Sequence, residues 1–279
     1  MKVSIIGIGL IGGSMALALR EKGIATKITG VDANPAHCKK AMELGLVDEI
    51  ATMNEAVATA DLIIIAVPVN TADQMMGTIL GQVDQQVLMD VGSTKKHLCE
   101  IAAVHPKRGR FVATHPMWGT EYSGPEAAVK GAFENKAVVI CDAQHSDADA
   151  LKRVEEIYRS LGMHLLYMNA GVHDLHAAYV SHISHITSFA LANTVLEKEK
   201  EEDAIFEMAS GGFESTVRLA KSNPAMWVPI FMQNKENILD VLNEHISQLK
   251  KIKSCLEKEN YEYLGELITH ANSIKRIIK

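Results

Sequence analysis

The sequence has few cysteines, no excess of positive charge and no long apolar run, and each absence argues against a class of protein. Four cysteines stand far apart in 279 residues with no C-x-x-C pair, so a disulfide-stapled secreted fold is not favoured and reduced thiols are expected. The net charge of −6 argues against nucleic acid as a partner. No apolar run approaches the roughly 20 residues that cross a bilayer, and the N-terminus lacks the basic start of a signal peptide. We therefore expect a cytoplasmic protein with no membrane or nucleic-acid partner.

Strand-like and helical segments alternate through residues 1–168. Such alternation predicts an α/β fold with a Rossmann-type, doubly wound, mostly parallel sheet. From there on the apolar spacing is helical only, with a long candidate helix over Val172–Leu196 and a last one over Tyr261–Ile278. We expect two domains, residues 1–168 and an all-α domain of residues 169–279. The strand-like segments are Val3–Gly7, Ile28–Asp32, Leu62–Pro68, Val87–Val91, Phe111–Thr114, Lys136–Cys141 and His164–Met168.

An apolar run at the N-terminus leads into Gly7, Gly9 and Gly12, and an acidic residue, Asp32, follows twenty residues later. In this pattern the first glycine permits a tight turn, the second lets backbone approach a pyrophosphate, and the third lets the helix pack closely on the strand. The helix N-terminus binds phosphate, and Asp32 accepts ribose hydroxyls and repels a 2′-phosphate. The pattern predicts an NAD site; a glycine-rich turn without a ligand is the alternative. The predicted cofactor-binding residues are Gly7, Gly9, Leu10, Ile11, Gly12, Asp32, Val67, Pro68 and Ser93.

Two predicted strands end in side chains that can carry chemistry, at the sheet edge where α/β folds bind ligands. Ser93 follows the strand over Val87–Val91, and His115 follows the strand over Phe111–Thr114. A histidine at this edge, facing the expected nicotinamide, suits a general base that takes a hydroxyl proton as hydride leaves. Ser93 is predicted to hold the imidazole in one tautomer. The alternatives are a structural hydrogen bond for His115 and a helix N-cap for Ser93.

The helical part contributes a second polar cluster, which includes His173 and the segment from Ser181 through His182 to His185. The last two histidines are three residues apart and share a helix face. No acidic ligand accompanies them and no H-E-x-x-H pattern is present, so we expect no metal. Arg218 is a candidate for bidentate binding of a carboxylate, which lysine does not reproduce. The alternatives are polar surface or core hydrogen bonding for the histidines and an ion pair for Arg218.

Five segments taken together resemble the prephenate dehydrogenase family, which includes the arogenate dehydrogenases. The first segment is shared with many dehydrogenases, whereas the combination of the other four is specific. The five span nearly the whole chain in the family's order. They are GIGLIGGS at 7–14, DVGSTK at 90–95, HPMWGTE at 115–121, SHISH at 181–185 and GGFESTVRLAKSNPAMW at 211–227.

The resemblance implies an NAD-dependent enzyme that oxidatively decarboxylates prephenate to 4-hydroxyphenylpyruvate in tyrosine biosynthesis. It also implies a Rossmann domain followed by a helical dimerisation domain, and therefore a homodimer that acts on a small molecule. His115 is expected to take the proton of the ring hydroxyl with Ser93 orienting it, and Arg218 to bind a substrate carboxylate. The further substrate-binding residues that the resemblance implies are Thr120, Glu121, Ser181, His182, His185, Gly211 and Trp227.

Departures from the family and other activities leave part of this interpretation open. Glu214 and Ser215 stand where some relatives have Lys-Asp, and the 279 residues hold no regulatory ACT domain or chorismate mutase, so feedback through an appended domain is not expected. Arogenate, which carries an ammonium where prephenate has a keto group, would be favoured by an inward Glu121 or Glu214. A β-hydroxyacid-type dehydrogenase normally uses a lysine in the helical half, where this chain has SHISH. A non-catalytic NAD-binding protein is the remaining alternative.

Overall fold

An eight-stranded sheet forms the first part of the chain in the computed structural model, which describes residues 1–199 and 205–276. In chain order its strands are β1 Lys2–Ile6, β2 Lys27–Val31, β3 Glu49–Ile50, β4 Leu62–Ile65, β5 Val87–Asp90, β6 Phe111–Pro116, β7 Ala137–Cys141 and β8 His164–Met168. Their spatial order is β3-β2-β1-β4-β5-β6-β7-β8, and all neighbours pair in parallel except β6 and β7, which are antiparallel. The predicted doubly wound, mostly parallel sheet is confirmed.

Helices flank the sheet and account for the regular structure that follows it. Those of the first part are α1 Leu10–Glu21, α2 Pro35–Glu43, α3 Met53–Thr59, α4 Val69–Gln82, α5 Lys96–Ala103 and α6 Ala148–Ser160. Those of the second part are α7 Ala170–Ala177, α8 Ile183–Glu199, α9 Gly211–Val217, α10 Pro224–Gln233, α11 Lys235–Glu257 and α12 Tyr261–Ala271. None of these helices combines the length and the apolar character that a bilayer span needs. The predicted end of the last helix, Ile278, lies outside the described residues.

Two apolar layers, one on each face of the sheet, hold the flanking helices in place. The central strand β4 contributes to both, because Leu62 and Ile64 belong to one layer while Ile63 and Ile65 belong to the other. All four side chains are at most 1% exposed. A parallel strand that is buried on both faces reads as a continuous apolar run, which is why its sequence predicts a core strand. Each such side chain contributes about 1.5–3 kcal/mol by leaving water.

The strand order changes direction between β1 and β4, which are neighbours in the sheet although five helices and strands separate them in the chain. Connections from the two strands leave on opposite faces at such a point and open a crevice at the carboxyl ends of the strands. The turn that starts at Gly7 follows β1, and Val67 with Pro68 follows β4. The fold therefore brings two of the segments predicted to bind a cofactor to the same edge.

Three strands differ from the sequence prediction, one of them β4, which ends at Ile65 and not at Pro68. The sequence does not predict β3, because two residues are too few to show an alternating pattern. Strand β6 does not end at Thr114 but continues to Pro116, since His115 pairs with Val139 and Pro116 with Val138 of β7. An antiparallel partner that lies more than twenty residues further along the chain decides where β6 ends, and it places His115 inside the strand.

A π-helical turn, Ala178–His182, interrupts the long helix that the sequence predicts over Val172–Leu196. Such a turn inserts one extra residue into a helix and rotates the helical face that follows; it is frequent at functional sites. The apolar spacing continues through the turn, so the sequence gives no sign of it. His182 is the last residue of the turn and therefore sits where the face changes.

Alanine at Gly9 and at Gly12 should separate ligand binding from stability. A Cβ at Gly12 would collide with the backbone carbonyl oxygen of Gly7, so Gly12→Ala should lower the free energy of unfolding by about 1–3 kcal/mol. A Cβ at Gly9 meets no atom within 4 Å, so Gly9→Ala should keep its stability within about 0.5 kcal/mol and lose dinucleotide affinity. Denaturant unfolding and cofactor titration measure the two effects.

The matched control is Gly77→Ala, at an exposed position in α4 where an added Cβ also meets open space. This change should raise stability slightly, because alanine is the better helix former, and should leave cofactor affinity unchanged. A Gly12→Ala protein that unfolds at the same denaturant concentration as the parent would contradict the close packing of α1 on β1.

Candidate functional site

The glycine-rich turn between β1 and α1 presents backbone to the crevice. Gly7 has a φ of +95°, and a Cβ there would lie 2.5 Å from the carbonyl oxygen of Ala66, so only glycine suits the position. Gly9 stands directly before α1, and no side chain caps the first N–H groups of that helix. Uncapped N–H groups at a helix N-terminus are donors for an anion. This geometry suits a phosphate group.

Asp32 lies directly after β2, beside the glycine-rich turn. Its Oδ2 accepts the backbone N–H of Ile8 at 3.0 Å, and its Oδ1 accepts the N–H of Asn34 at 2.9 Å. The carboxylate thereby fixes the turn to the end of β2, and each of its oxygens keeps a lone pair for a ribose hydroxyl. The open glycine backbone and this acceptor together fit the phosphate and sugar groups of a dinucleotide.

Six of the residues predicted to bind a cofactor line one cavity between the sheet and the helical part. From the sheet side it is lined by Gly9, Leu10, Ile11, Val67, Pro68 and Ser93, and from the helical side by Asn223, Met226 and Ile230. The structure thus brings together segments that are distant in sequence, and it shows that both parts of the chain form the walls. Asn223 and Met226 lie in a segment to which the sequence assigns no cofactor contact.

His115 is 9% exposed within β6, and its Nδ1 lies 2.8 Å from Nε2 of His173 in α7. The sequence prediction that Ser93 holds this imidazole needs correction. In residues 1–199 and 205–276, no hydrogen bond joins Ser93 to His115, and His173 occupies the Nδ1 side. The reason is the packing of α7 against α5 and β7, which brings His173 next to the sheet. Ser93 instead lines the cavity described above.

The imidazole of His115 is held in its neutral form. Burial lowers its pKa well below the ordinary value, and the neighbouring groups His173, Lys95 and His182 lower it further. Lys95 is itself fully buried and is ion-paired with Asp90 beneath the site. A neutral imidazole at pH 7 has a free lone pair, so it can accept a proton.

His182 is 1% exposed and lies close enough to His115 for its charge to lower the pKa of that residue. The side-chain amide of Asn234, which also donates to the carbonyl of Asp174 at 2.6 Å, lies 3.1 Å from His182 Nδ1. Because Nδ1 accepts, Nε2 carries the proton, and this buried N–H has no partner among the described residues. Burial lowers the pKa of His182 to about 4. A ligand oxygen would satisfy the unpaired N–H.

His185 stacks on Trp227, with ring centroids 3.5 Å apart and planes inclined by 27°. Trp227 also meets His182 edge-on at 5.9 Å, and its buried Nε1–H has no hydrogen-bond partner in the parts of the chain that are described. Burial lowers the pKa of His185, the hydrogen bond to the Ser181 carbonyl opposes this shift, and the charge of Arg218 adds to it. The three rings form one wall, with the guanidinium nearby.

Arg218 joins the helical part to the loop after β6. Its Nη1 lies 2.6 Å from Oε2 of Glu121; half of the arginine side chain is exposed, whereas that of Glu121 is 10% exposed. A hydrogen bond from its own backbone N–H and the bond from Arg218 lower the pKa of Glu121 despite its desolvation. The ion pair named above as the alternative role of Arg218 is thus present. This bond engages one of the guanidinium nitrogens, which leaves the other N–H groups to bind a second carboxylate.

Three further predicted substrate-binding residues lie close in sequence to members of this group. Thr120 precedes Glu121 and accepts the N–H of Tyr122 at 3.3 Å. Ser181 precedes His182 within the π-helical turn. Gly211 is exposed at the start of α9, where an added Cβ would meet no atom within 4 Å. The substrate roles of these residues stay predictions.

Sequence reasoning missed the roles of Asp174 and Asn234, and it left His173 unassigned. Asp174 Oδ1 lies 2.7 Å from Nδ1 of His173 and accepts the N–H of Lys95 at 2.8 Å. A histidine beside an aspartate at a buried helix position was the available signal. Their partners lie more than fifty residues away in the chain, so no local pattern identified them. Across the described ranges, no three His, Cys, Asp or Glu side chains converge as metal ligands would.

Comparison with known proteins agrees on one family. A family model described as prephenate dehydrogenase, nucleotide-binding domain, matches residues 15–167, and one described as prephenate dehydrogenase, dimerization domain, matches residues 169–270. A prephenate dehydrogenase of Bacillus subtilis is 33% identical over 266 residues, which are 94% of this chain and 72% of that protein. A cyclohexadienyl dehydrogenase of Zymomonas mobilis is 27% identical over 280 residues, 99% of this chain and 96% of that protein.

A solved structure extends the likeness to three dimensions. The crystal structure of prephenate dehydrogenase from A. aeolicus, in complex with hydroxyphenyl propionate and NAD+, superposes with a TM-score of 0.91. The two sequences are 32% identical, and the match covers 100% of this chain and 98% of the other.

Buried His115 and His182 and half-buried His185 should make stability depend on pH. Their pKa values in the folded protein lie below the value of about 6.5 in the unfolded chain, so the unfolded chain binds more protons as pH falls below 6.5. The free energy of unfolding should therefore decrease from pH 6.5 towards 4. His182 alone, with its pKa of about 4, accounts for up to about 3 kcal/mol of this loss.

Denaturant unfolding of the parent and of His182→Gln over this pH range measures the effect. The variant should show a shallower decrease, because it lacks the group that the unfolded chain protonates. His270→Gln, at an exposed position in α12, serves as the control and should follow the parent. Parallel curves for the parent and His182→Gln would contradict the assigned pKa.

Proposed function

The chain belongs to the prephenate dehydrogenase family, and we propose that it catalyses the NAD-dependent oxidative decarboxylation of prephenate to 4-hydroxyphenylpyruvate, a step of tyrosine biosynthesis. The observation that carries the proposal is one site built from both parts of the chain. A neutral, buried His115 lies at the end of the sheet, and His182, His185 and Arg218 are contributed by the helical part. A proton acceptor, hydrogen-bond donors and a cation are what this substrate requires.

NAD fits the residues of the crevice. The turn from Gly7 to Gly12 and the N-terminus of α1 would hold the pyrophosphate, and Asp32 would accept the ribose hydroxyls. Val67, Pro68 and Ser93 line the cavity next to this turn. When bound, NAD supplies the acceptor for the hydride that leaves the substrate. The carboxylate of Asp32 disfavours a 2′-phosphate, so we propose NAD over NADP.

His115 is the general base in this proposal. Its Nδ1 faces His173, so Nε2 is the nitrogen that takes the proton of the ring hydroxyl. The proton leaves the hydroxyl oxygen and the hydride leaves the carbon that bears this hydroxyl. The product is a ketone conjugated to the carbon that bears the ring carboxylate. The bond to this carboxylate then breaks, carbon dioxide leaves, and the electron pair restores an aromatic ring as a phenolate. The phenolate takes the proton back from His115, so no proton is gained or lost overall.

The helical part would bind and orient prephenate. Arg218 keeps donors free for a carboxylate, and a guanidinium matches two carboxylate oxygens at once. The unpaired N–H groups of His182 and Trp227 offer two more donors from a buried wall. Unsatisfied buried donors cost about 1–3 kcal/mol each, which a substrate oxygen would recover on binding. Thr120, Ser181 and Gly211 stand beside this group, and we propose that they complete the pocket.

The second candidate substrate is arogenate, whose ammonium group needs an acidic or neutral acceptor. Glu121 is the acidic side chain that the structure places beside Arg218, and its carboxylate is already paired with the guanidinium. A paired carboxylate is less available to an ammonium group. The Arg218–Glu121 pair therefore favours prephenate.

We also propose that the chain divides at residue 168, works as a homodimer and is cytoplasmic. β8 ends at Met168, and the side chain of Asn169 caps α7, which begins the helical part.

Leu249 and Leu256 of α11 and Ile268 of α12 are more than half exposed, and a second copy would cover such surface. The family model for this half is described as a dimerization domain. Free thiols at all four cysteines accord with a reducing compartment.

The proposed function is tested by measuring the reduced cofactor, NADH or NADPH, formed with prephenate or arogenate and with NAD or NADP. We expect turnover with prephenate and NAD, and a lower kcat/KM in the other three combinations. His115→Asn is the matched inactive variant: it should lower kcat by about 10²–10⁴-fold and leave NAD affinity unchanged, because only proton transfer is lost. A His115→Asn protein with full activity, or faster turnover of arogenate than of prephenate, would contradict the assignment.

Replacement of Arg218 tests the carboxylate contact. Arg218→Ala should raise the KM for prephenate about 10–100-fold and leave NAD affinity unchanged, because a charge-assisted hydrogen bond contributes about 1.5–3 kcal/mol. Arg218→Lys should recover only part of the loss, since lysine lacks the fork. Lys221→Ala, which removes a nearby exposed cation, is the control. Steady-state kinetics that show the same KM for Arg218→Ala and the parent would rule out this role.

A further inference from the structure

Asp174, His173 and His115 form a continuous chain of hydrogen bonds, which we name the Asp–His–His chain. Oδ1 of Asp174 lies 2.7 Å from Nδ1 of His173, and Nε2 of His173 lies 2.8 Å from Nδ1 of His115. All three residues are buried, with exposed fractions of 3%, 2% and 9%. The first two belong to α7 and the third to β6, so the Asp–His–His chain links the helical part to the sheet.

The carboxylate of Asp174, at one end of the Asp–His–His chain, accepts hydrogen bonds from two backbone N–H groups. Oδ1 of Asp174 accepts the N–H of Lys95 at 2.8 Å, and Oδ2 accepts the N–H of Lys96 at 3.0 Å, at the N-terminus of α5. Both oxygens therefore face donors, which suits the acceptor role of a carboxylate. An ionised carboxylate only accepts hydrogen bonds. His173 must then donate to it through Nδ1–H.

The position of the proton on His173 decides which nitrogen of His115 carries a proton. With its proton on Nδ1, a neutral His173 presents a lone pair at Nε2 and accepts from Nδ1–H of His115. The lone pair of His115 is then on Nε2, the nitrogen that does not face His173. Charged His173 would reverse this order, because it would donate to His115 and leave that residue with its proton on Nε2. The titratable groups that face His115 are His173 in α7, Lys95 before α5 and His182 in the π-helical turn, and a positive charge on any of them lowers the pKa of His115.

The first of these two orders is the one that the proposed general base requires. Only a His173 that accepts from Nδ1–H of His115 leaves the lone pair of His115 on Nε2.

We propose that His173 and Asp174 are positioning residues that hold His115 in the tautomer with its proton on Nδ1, so that Nε2 is free to act as the base. This inference rests on the proposed function, because it assigns how the base of that reaction is prepared. It also implies that the base is competent only when α7 is docked against α5 and β6, since the orienting groups come from the other part of the chain.

Asp174→Asn is the most informative change. With its NH₂ group in the place of Oδ1, the amide donates to Nδ1 of His173 and keeps its oxygen for the N–H of Lys96, while the N–H of Lys95 loses its acceptor. His173 then carries its proton on Nε2 and donates to His115 Nδ1, which leaves His115 with its proton on the nitrogen that should accept. We expect kcat for prephenate to fall by about 10²–10⁴-fold, the effect known when an aspartate behind a catalytic histidine becomes asparagine. NAD affinity should not change.

Two further variants and one control separate orientation from packing. His173→Gln offers an amide oxygen that can accept from His115 Nδ1–H, so it should retain more activity than His173→Leu, which offers no acceptor. Asp73→Asn is the control for loss of contact between the two parts. Asp73 in α4 binds Gln233 of α10 at 2.5 Å and His97 at 2.6 Å, outside the Asp–His–His chain. It should keep the kcat of the parent.

Nitrogen NMR of ¹⁵N-histidine-labelled protein reads the tautomer directly and does not depend on turnover. The resonances of His115 are assigned by their absence in His115→Asn. We expect the proton on Nδ1 in the parent and on Nε2 in Asp174→Asn. If Asp174→Asn does not fold, the parent spectrum and the two His173 variants decide the matter.

The outcomes for the two proposals are distinguishable. A parent protein with no turnover of prephenate or arogenate would overturn the proposed function, and the tautomer spectra would still support or overturn the Asp–His–His chain. An active parent with the His115 proton on Nε2 would overturn the inference. So would an Asp174→Asn protein that keeps both the kcat and the His115 tautomer of the parent.

Discussion

The carboxylate of Asp174 is the interaction on which the site depends, because it binds the helical part of the chain to the sheet. It accepts the backbone N–H groups of Lys95 and Lys96 at the start of α5, and Asn234 donates to its backbone carbonyl. A buried carboxylate is stable only with such partners, so the two parts can dock in few ways. Gln233 strengthens the same junction through its bond to Asp73. The cofactor cavity and the histidine group both lie along this contact.

Burial of polar groups gives the site its chemical properties. Desolvation lowers the pKa values of His115, His182 and His185 and so favours their neutral forms, and Lys95 lowers the pKa of His115 further. Neutral imidazoles accept protons and offer one N–H each, whereas imidazolium groups would only donate. The unpaired donors of His182 and of the neighbouring tryptophan lower the stability of the folded chain. Binding sites commonly contain hydrogen-bond donors that find a partner only in the ligand, and the ligand-free protein is less stable for this reason.

The fold was predictable from the sequence wherever the signal was local. The continuous apolar run of β4 marks a strand buried on both faces, and Gly7, Gly9 and Gly12 mark the turn because a backbone with no Cβ is needed there. The antiparallel pairing of β6 and the π-helical turn before α8 were not predictable. Their causes are a partner strand elsewhere in the chain and the packing of a helix face, which leave no periodic pattern.

The features of the functional site likewise fall into those that the sequence predicts and those that only the structure shows. The sequence by itself determined that a dinucleotide turn with an acidic ribose acceptor is present, and that His115, Arg218 and the SHISH segment are available for chemistry, because residue type and spacing carry that information. Only the tertiary structure decided which groups meet. It gave His115 the partner His173 in place of Ser93, joined Arg218 to Glu121, and brought Asp174 to the start of α5. Hydrogen-bond partners and burial are set by contacts between distant segments, and those contacts exist only once the two parts of the chain have packed together.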